Sequence, residues 1–115
     1  MSVHIRFAKP EDVPQILDLI RELAEYEKEP QEVTITEEEM VKDGFEDNLY
    51  KCLVAEKENQ ILGIALYYPR YSTWKGPTMH LEDLIVTKKM RNYGIGKALF
   101  SSFIKYSHSQ GVKRV

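Results

Sequence analysis

The segment Arg91-Asn92-Tyr93-Gly94-Ile95-Gly96 joins the apolar run Met79 to Val86 to a stretch in which Ile95, Leu99, Phe103 and Ile104 recur at helical spacing. A strand that turns through two glycines straight into an amphipathic helix dictates a layered α/β arrangement, because strand and helix each have an apolar face to cover. The same turn brings backbone N–H groups to a helix N-terminus without side-chain obstruction, and Arg91 and Lys97 add positive charge. It is a candidate anion site. Taken alone, Gly-x-Gly before a helix is more often plain turn chemistry, but the flanking strand, arginine and helix favour a ligand. A Walker A loop requires glycine where Arg91 stands and Ser or Thr where Ala98 stands, and a dinucleotide fingerprint requires a small residue where Leu99 stands.

Upstream, Val3 to Phe7 reads as a strand, and Lys9-Pro10-Glu11-Asp12 supplies proline and acidic residues where a helix starts. Val13, Ile16, Leu17, Ile20, Leu23 and Ala24 then form an apolar stripe. A charged loop follows from Glu27 to Glu32, and Thr36 with Glu39 gives the pattern of a capping box for a short helix that should run to about Asp43 and stop at Gly44. Tyr50 to Glu56 and Ile61 to Tyr68 predict an antiparallel hairpin, since their connection is too short for a crossover helix. Pro69 to Pro77 reads as a loop, Met79 to Val86 as the next strand, and the last helix as ending near Gly111. A fifth strand is expected to begin at about Lys113. No repeat or Pro/Gly/Ser linker divides the chain, so residues 1–115 are expected to form a single domain.

Charge narrows the partners. Lys and Arg number 16 against 18 Asp and Glu, a net charge of −2, so the basic footprint of a nucleic-acid binder is missing. No apolar run approaches the roughly 20 residues of a membrane span. The one cysteine, Cys52, reads as a buried strand residue rather than a nucleophile and fits a reducing compartment, and a cytoplasmic location is expected. His4, His80 and His108 show no metal-ligand spacing and read as structural or surface residues; no metal is expected.

Arg91-x-x-Gly94-x-Gly96 resembles the (Gln/Arg)-x-x-Gly-x-(Gly/Ala) pyrophosphate loop of the GNAT superfamily of N-acetyltransferases. Arg21 to Glu27, Asp43-Gly44-Phe45, Cys52 to Glu56, Ala65 to Tyr68 and Leu81-Glu82-Asp83 resemble, in order, the spermidine/spermine acetyltransferases and their thialysine-acetylating relatives. The resemblance implies an acyl-CoA N-acyltransferase fold, α/β with a mixed, mostly antiparallel sheet flanked by helices, here lacking its final strands. It implies acetyl-CoA as co-substrate, with Arg91, Asn92, Gly94, Ile95, Gly96 and Lys97 around the pyrophosphate and the backbone of Leu84, Ile85 and Val86 along the pantetheine arm. It also implies a homodimer, a cationic amine substrate, and Tyr26, Glu27 and Trp74 near the amine; by helical spacing alone Tyr26 equally continues the stripe into the core.

A primary ammonium, with a reference pKa near 10.4, has to lose a proton before it attacks a thioester, so such a site needs a carboxylate and a proton outlet. Glu82 and Asp83 are the candidates, Glu82 as catalytic base and both as substrate binders. Adjacent strand residues face opposite ways, so a bulge, which the resemblance implies, is needed for both to contribute; without the resemblance, a solvated edge or local salt bridge is the simpler reading. Related enzymes protonate the departing thiolate from a tyrosine beyond the fifth strand, in a segment absent here, so weak or absent catalysis is expected of these 115 residues by themselves. A non-catalytic acyl-CoA-binding or dimerisation module, or a protein N-acetyltransferase, stays open as an alternative.

Overall fold

Strand β1 (His4–Phe7) is followed by a 3-10 turn and helix α1 (Val13–Tyr26), then by α2 (Glu37–Val41), strands β2 (Lys51–Lys57), β3 (Gln60–Ser72) and β4 (Gly76–Val86), and helix α3 (Ile95–Ser109). The structure, a computed structural model, describes residues 3–112; the expected fifth strand at Lys113 lies outside them. The strands form one antiparallel sheet in the order β1-β2-β3-β4. The element order and the antiparallel run through strand four agree with the sequence reading.

Alternation along the strands divides the core into two layers. Cys52, Val54, Ile64, Leu66 and Ile85 face α1, where Val13, Ile16 and Leu17 are fully buried. Leu53, Ala55, Ala65 and Tyr67 face α3, meeting Ile95, Leu99 and Phe103. Burial of this kind is worth about 1.5–3 kcal/mol per large side chain. Burial also pushes the Cys52 thiol up, which keeps it protonated and inert.

Two local expectations are corrected. The capping box forms, with Thr36 Oγ1 accepting from Glu39 N at 3.1 Å and Glu39 Oε1 accepting from Thr36 N at 2.9 Å. The helix, however, does not stop at Gly44; it widens into a π-helical turn, Lys42–Glu46. Gly44 is there because a Cβ would lie 2.3 Å from the ring of Tyr50, whose hydroxyl donates to Met40 O at 2.7 Å. Second, Pro69 to Pro77 is mostly strand: β3 and β4 stay paired out to Ser72 and Gly76, leaving only Thr73 to Lys75 as the turn. Asp12 closes the 3-10 turn that leads into α1. It is 6% exposed and held by Arg6, through contacts of 2.7 and 3.1 Å, while Arg6 Nε reaches Glu56 Oε1 at 2.9 Å. That guanidinium ties β1, the first turn and β2 together.

Candidate active site

The β3–β4 register slips between Leu66, which faces Asp83, and Tyr67, which faces Leu81, so Glu82 is an extra residue with no partner. This is the bulge that the resemblance implied. Its effect is visible in the core: Leu81 packs with the α3 layer while Ile85, four residues on, packs with the α1 layer, although an unbroken strand would put both on one side. Asp83 consequently turns to the α1 face, and Glu82 projects beside it with its side chain 54% exposed. Burial pushes the Asp83 carboxyl above its ordinary value, and the charges of Glu82 and Glu27 push it further. Glu27 comes from the C-terminal end of α1. Three acidic side chains from two elements therefore act on one another. No Lys or Arg lies within ion-pair distance of any of them among the described residues.

On its other side, β4 has no strand partner among the described residues, so the backbone of Leu84, Ile85 and Val86 is hydrogen-bonded to β3 alone. Leu84 is half exposed and Ile85 buried. Val86 leads through Thr87 into the glycine turn, where Asn92 and Gly94 both take positive φ, 73° and 81°. Gly94 is the N-cap of α3 and offers no side-chain cap, so the N–H groups of Ile95, Gly96 and Lys97 are left without an acceptor in the first helical turn. A Cβ on Gly96 would meet only Val86, at 3.6 Å, leaving the approach open. These free donors, with Arg91 and Lys97, suit a phosphate group.

Arg91 Nε donates to Val86 O at 3.1 Å, and its guanidinium stands 5.6 Å from the ring centroid of Tyr26. Tyr26, 71% exposed, does not continue the helix stripe into the core; it links the end of α1 to the turn. A residue that the sequence reading passes over does similar work. Glu22 accepts from Thr87 Oγ1 and from Lys88 N, both at 2.9 Å, clamping the start of the turn to α1. In the sequence it reads only as one more polar residue of the outer face of α1, and nothing in its spacing points to a partner 65 positions away. Trp74 does not join the group. It sits 90% exposed at the hairpin tip, roughly 20 Å along β4 from Asp83.

The model of the acetyltransferase (GNAT) family matches residues 13–115. The chain belongs to that family. GNAT enzymes use acetyl-CoA, and the glycine turn with its free N–H groups fits that co-substrate. Among its relatives is the thialysine N-epsilon-acetyltransferase of Bos taurus, 43% identical over 122 residues, covering 98% of this chain and 72% of the relative. The Homo sapiens spermidine/spermine N(1)-acetyltransferase-like protein 1 is 40% identical over 100 residues, covering 80% of this chain and 14% of that protein. Among solved structures, an aminoglycoside acetyltransferase from an uncultured soil metagenomic sample superposes with a TM-score of 0.79 at 26% identity, over 98% of this chain and 74% of that one. A Trypanosoma brucei acetyltransferase superposes at 0.78 and 23% identity, over 99% and 80%, a likeness of fold. The bulged carboxylates and the glycine turn thus both lie at the C-terminal end of β4, Arg91 following Asp83 by eight positions. No helix among the described residues is long and apolar enough to cross a membrane.

Proposed function

We propose that this protein moves an acetyl group from acetyl-CoA to a primary amine of a small polyamine or lysine-like molecule. The observation that carries the reading is Asp83, a half-buried carboxylate raised by burial and by two neighbouring carboxylates, with no Lys or Arg within ion-pair distance among the described residues. Such a group gains most from an incoming ammonium, and it stands next to the strand edge and turn suited to the co-substrate. The relatives named for thialysine and for spermidine/spermine support a free amine over a peptide.

In this reading Asp83 and Glu27 hold the ammonium, and Glu82 accepts its proton and, being half exposed, passes it to water. Tyr26 presents an aromatic face between that group and Arg91. Arg91, Asn92, Gly94, Ile95, Gly96 and Lys97 would hold the pyrophosphate, and the β4 backbone at Leu84, Ile85 and Val86 the pantetheine arm. The thioester acetyl group is what acetyl-CoA supplies; alignment of the amine is what the protein adds, and good alignment is worth several powers of ten in rate. Trp74, out at the hairpin tip, is given no part in holding this amine.

Calorimetry with CoA, followed by an acetylation assay over diamines, lysine analogues and peptides read by mass, tests the proposal. CoA binding with turnover of a free amine, slow for these 115 residues by themselves, is expected; turnover of peptides only overturns the substrate, and binding without any turnover on any amine favours the non-catalytic acyl-CoA-binding module instead. Gly94→Glu should weaken CoA binding tenfold or more, on the order of 1.4 kcal/mol, by placing a strained, negatively charged residue at φ +81° where the phosphate sits. Unchanged affinity removes the turn from the site.

A further inference from the structure

The face of β3 and β4 that carries Asp83 also carries Arg70, a guanidinium without a carboxylate partner among the described residues. Leu66, Tyr68 and Arg70 share that face by alternation, and Tyr68 pairs with His80 as Arg70 pairs with Thr78. Arg70 NH1 lies 3.4 Å from His80 Nδ1, and on the far side of the same ring His80 Nε2 lies 3.7 Å from Glu82 Oε1. A guanidinium only donates, so Nδ1 accepts and the ring's N–H is the one turned toward Glu82. The ring is further seated against Tyr68, centroids 5.1 Å apart, and Arg70's own carbonyl accepts from Thr78 Oγ1 at 3.0 Å. Among the described residues no carboxylate comes within ion-pair distance of Arg70, and its side chain is exposed beside the hollow under the hairpin tip. One imidazole thus separates a carboxylate suited to an amine from an unpaired guanidinium, a gap on the order of 9 Å from ordinary bond lengths and the two contacts.

We propose that Arg70 determines specificity by binding the carboxylate of the substrate, so that the enzyme prefers an amino acid with a terminal side-chain amine over a plain diamine of the same length. This deepens the function proposed above and rests on it. The side-chain nitrogen and the carboxylate of an extended lysine-length molecule are about 7–8 Å apart by bond geometry, so such a molecule lying alongside the imidazole brings one end to Glu82 and the other to Arg70. A carboxylate suits the planar fork of a guanidinium, whereas the second ammonium of a diamine, brought to the same place, is repelled. His80 acts here as a positioning residue, holding Arg70 NH1 from the side that faces Glu82.

The test compares kcat/KM of the full chain for lysine or thialysine with that for the diamine left when lysine loses its carboxylate. The native protein should favour the amino acid. Arg70→Met should lower kcat/KM for the amino acid about 10- to 100-fold, mostly through KM, and leave the diamine equal or better. Arg70→Lys, which keeps the charge and loses the fork, should fall between them. Because Arg70 is exposed, an unchanged melting temperature is expected and separates recognition from unfolding. Equal losses for both substrates, or a native preference for the diamine, overturn the inference while leaving amine acetylation intact. Acetylation of neither overturns the functional reading itself.

Discussion

Two groups of acidic side chains among the described residues have opposite electrostatics. At one, Asp12 and Glu56 share the guanidinium of Arg6, and Asp12 also accepts from Lys9 N at 2.7 Å. Both carboxyls are held below their ordinary values, chiefly by the Arg6 hydrogen bonds, and the guanidinium is raised in turn. At the other, Glu27, Glu82 and Asp83 have no such guanidinium among the described residues, and Asp83 is pushed up. The residue types are the same. A group that finds its counter-charge inside the chain joins elements of the fold, while a group that lacks one is left to bind a cation from outside. The carboxylates of Glu82 and Asp83 lie beside the turn that suits a phosphate, and those of Asp12 and Glu56 lie at the opposite edge of the sheet.

The comparison breaks most visibly at Glu82. Glu82→Gln should reduce kcat by about 10²- to 10⁴-fold, the usual worth of a positioned base, while the calorimetric affinity for CoA stays within twofold or so because the glycine turn is untouched. An unchanged kcat would move the proton acceptor elsewhere, with Asp83 next in line. At the other group, Arg6→Met should leave Asp12 buried without its partner and cost about 3 kcal/mol of stability, read as a shift in the urea midpoint at constant slope. The kcat of the folded protein should not follow. A loss under about 1 kcal/mol would mean that Arg6 is solvated in practice and that the contrast between the two groups is weaker than the geometry says.

Much of the fold is legible in the residue pattern, and the failures share a cause. The apolar stripes of α1 and α3 and the alternation in β2 and inner β3 report their elements correctly, since each is half covered by a core and shows its period. Pro69 to Ser72 misleads because the hairpin outruns the core there, and a ladder held by backbone bonds needs no hydrophobic pattern. The bulge at Glu82 is a backbone event with no signature in residue type; only the family resemblance points to it. Glu22 and Arg70 owe their importance to contacts with Thr87 and His80 that no local window contains. Gly44 has the look of a helix stop, and only the ring of Tyr50 shows why glycine is needed.

The smallest effect is also the sharpest comparison, because the two groups should give opposite signs with pH. Asp83 has a folded-state pKa above its unfolded value, so between the two the native state holds more protons and stability falls as pH rises through that window. Its ionised form is then a cost at neutral pH. Asp83→Asn should therefore melt slightly higher than the native protein at pH 7, with the gap closing as pH falls toward the ordinary carboxyl value. Asp12, lowered by Arg6, runs the other way: its contribution is present above the unfolded pKa and lost as pH drops through the folded one. Asp12→Asn should melt lower at pH 7, the deficit shrinking in acid. Thermal melts of the three proteins from pH 3 to 8 read both slopes at once. Slopes of the same sign would show that the Glu27, Glu82 and Asp83 carboxylates are satisfied within the fold after all, and would remove the reason for reading them as the seat of an incoming amine.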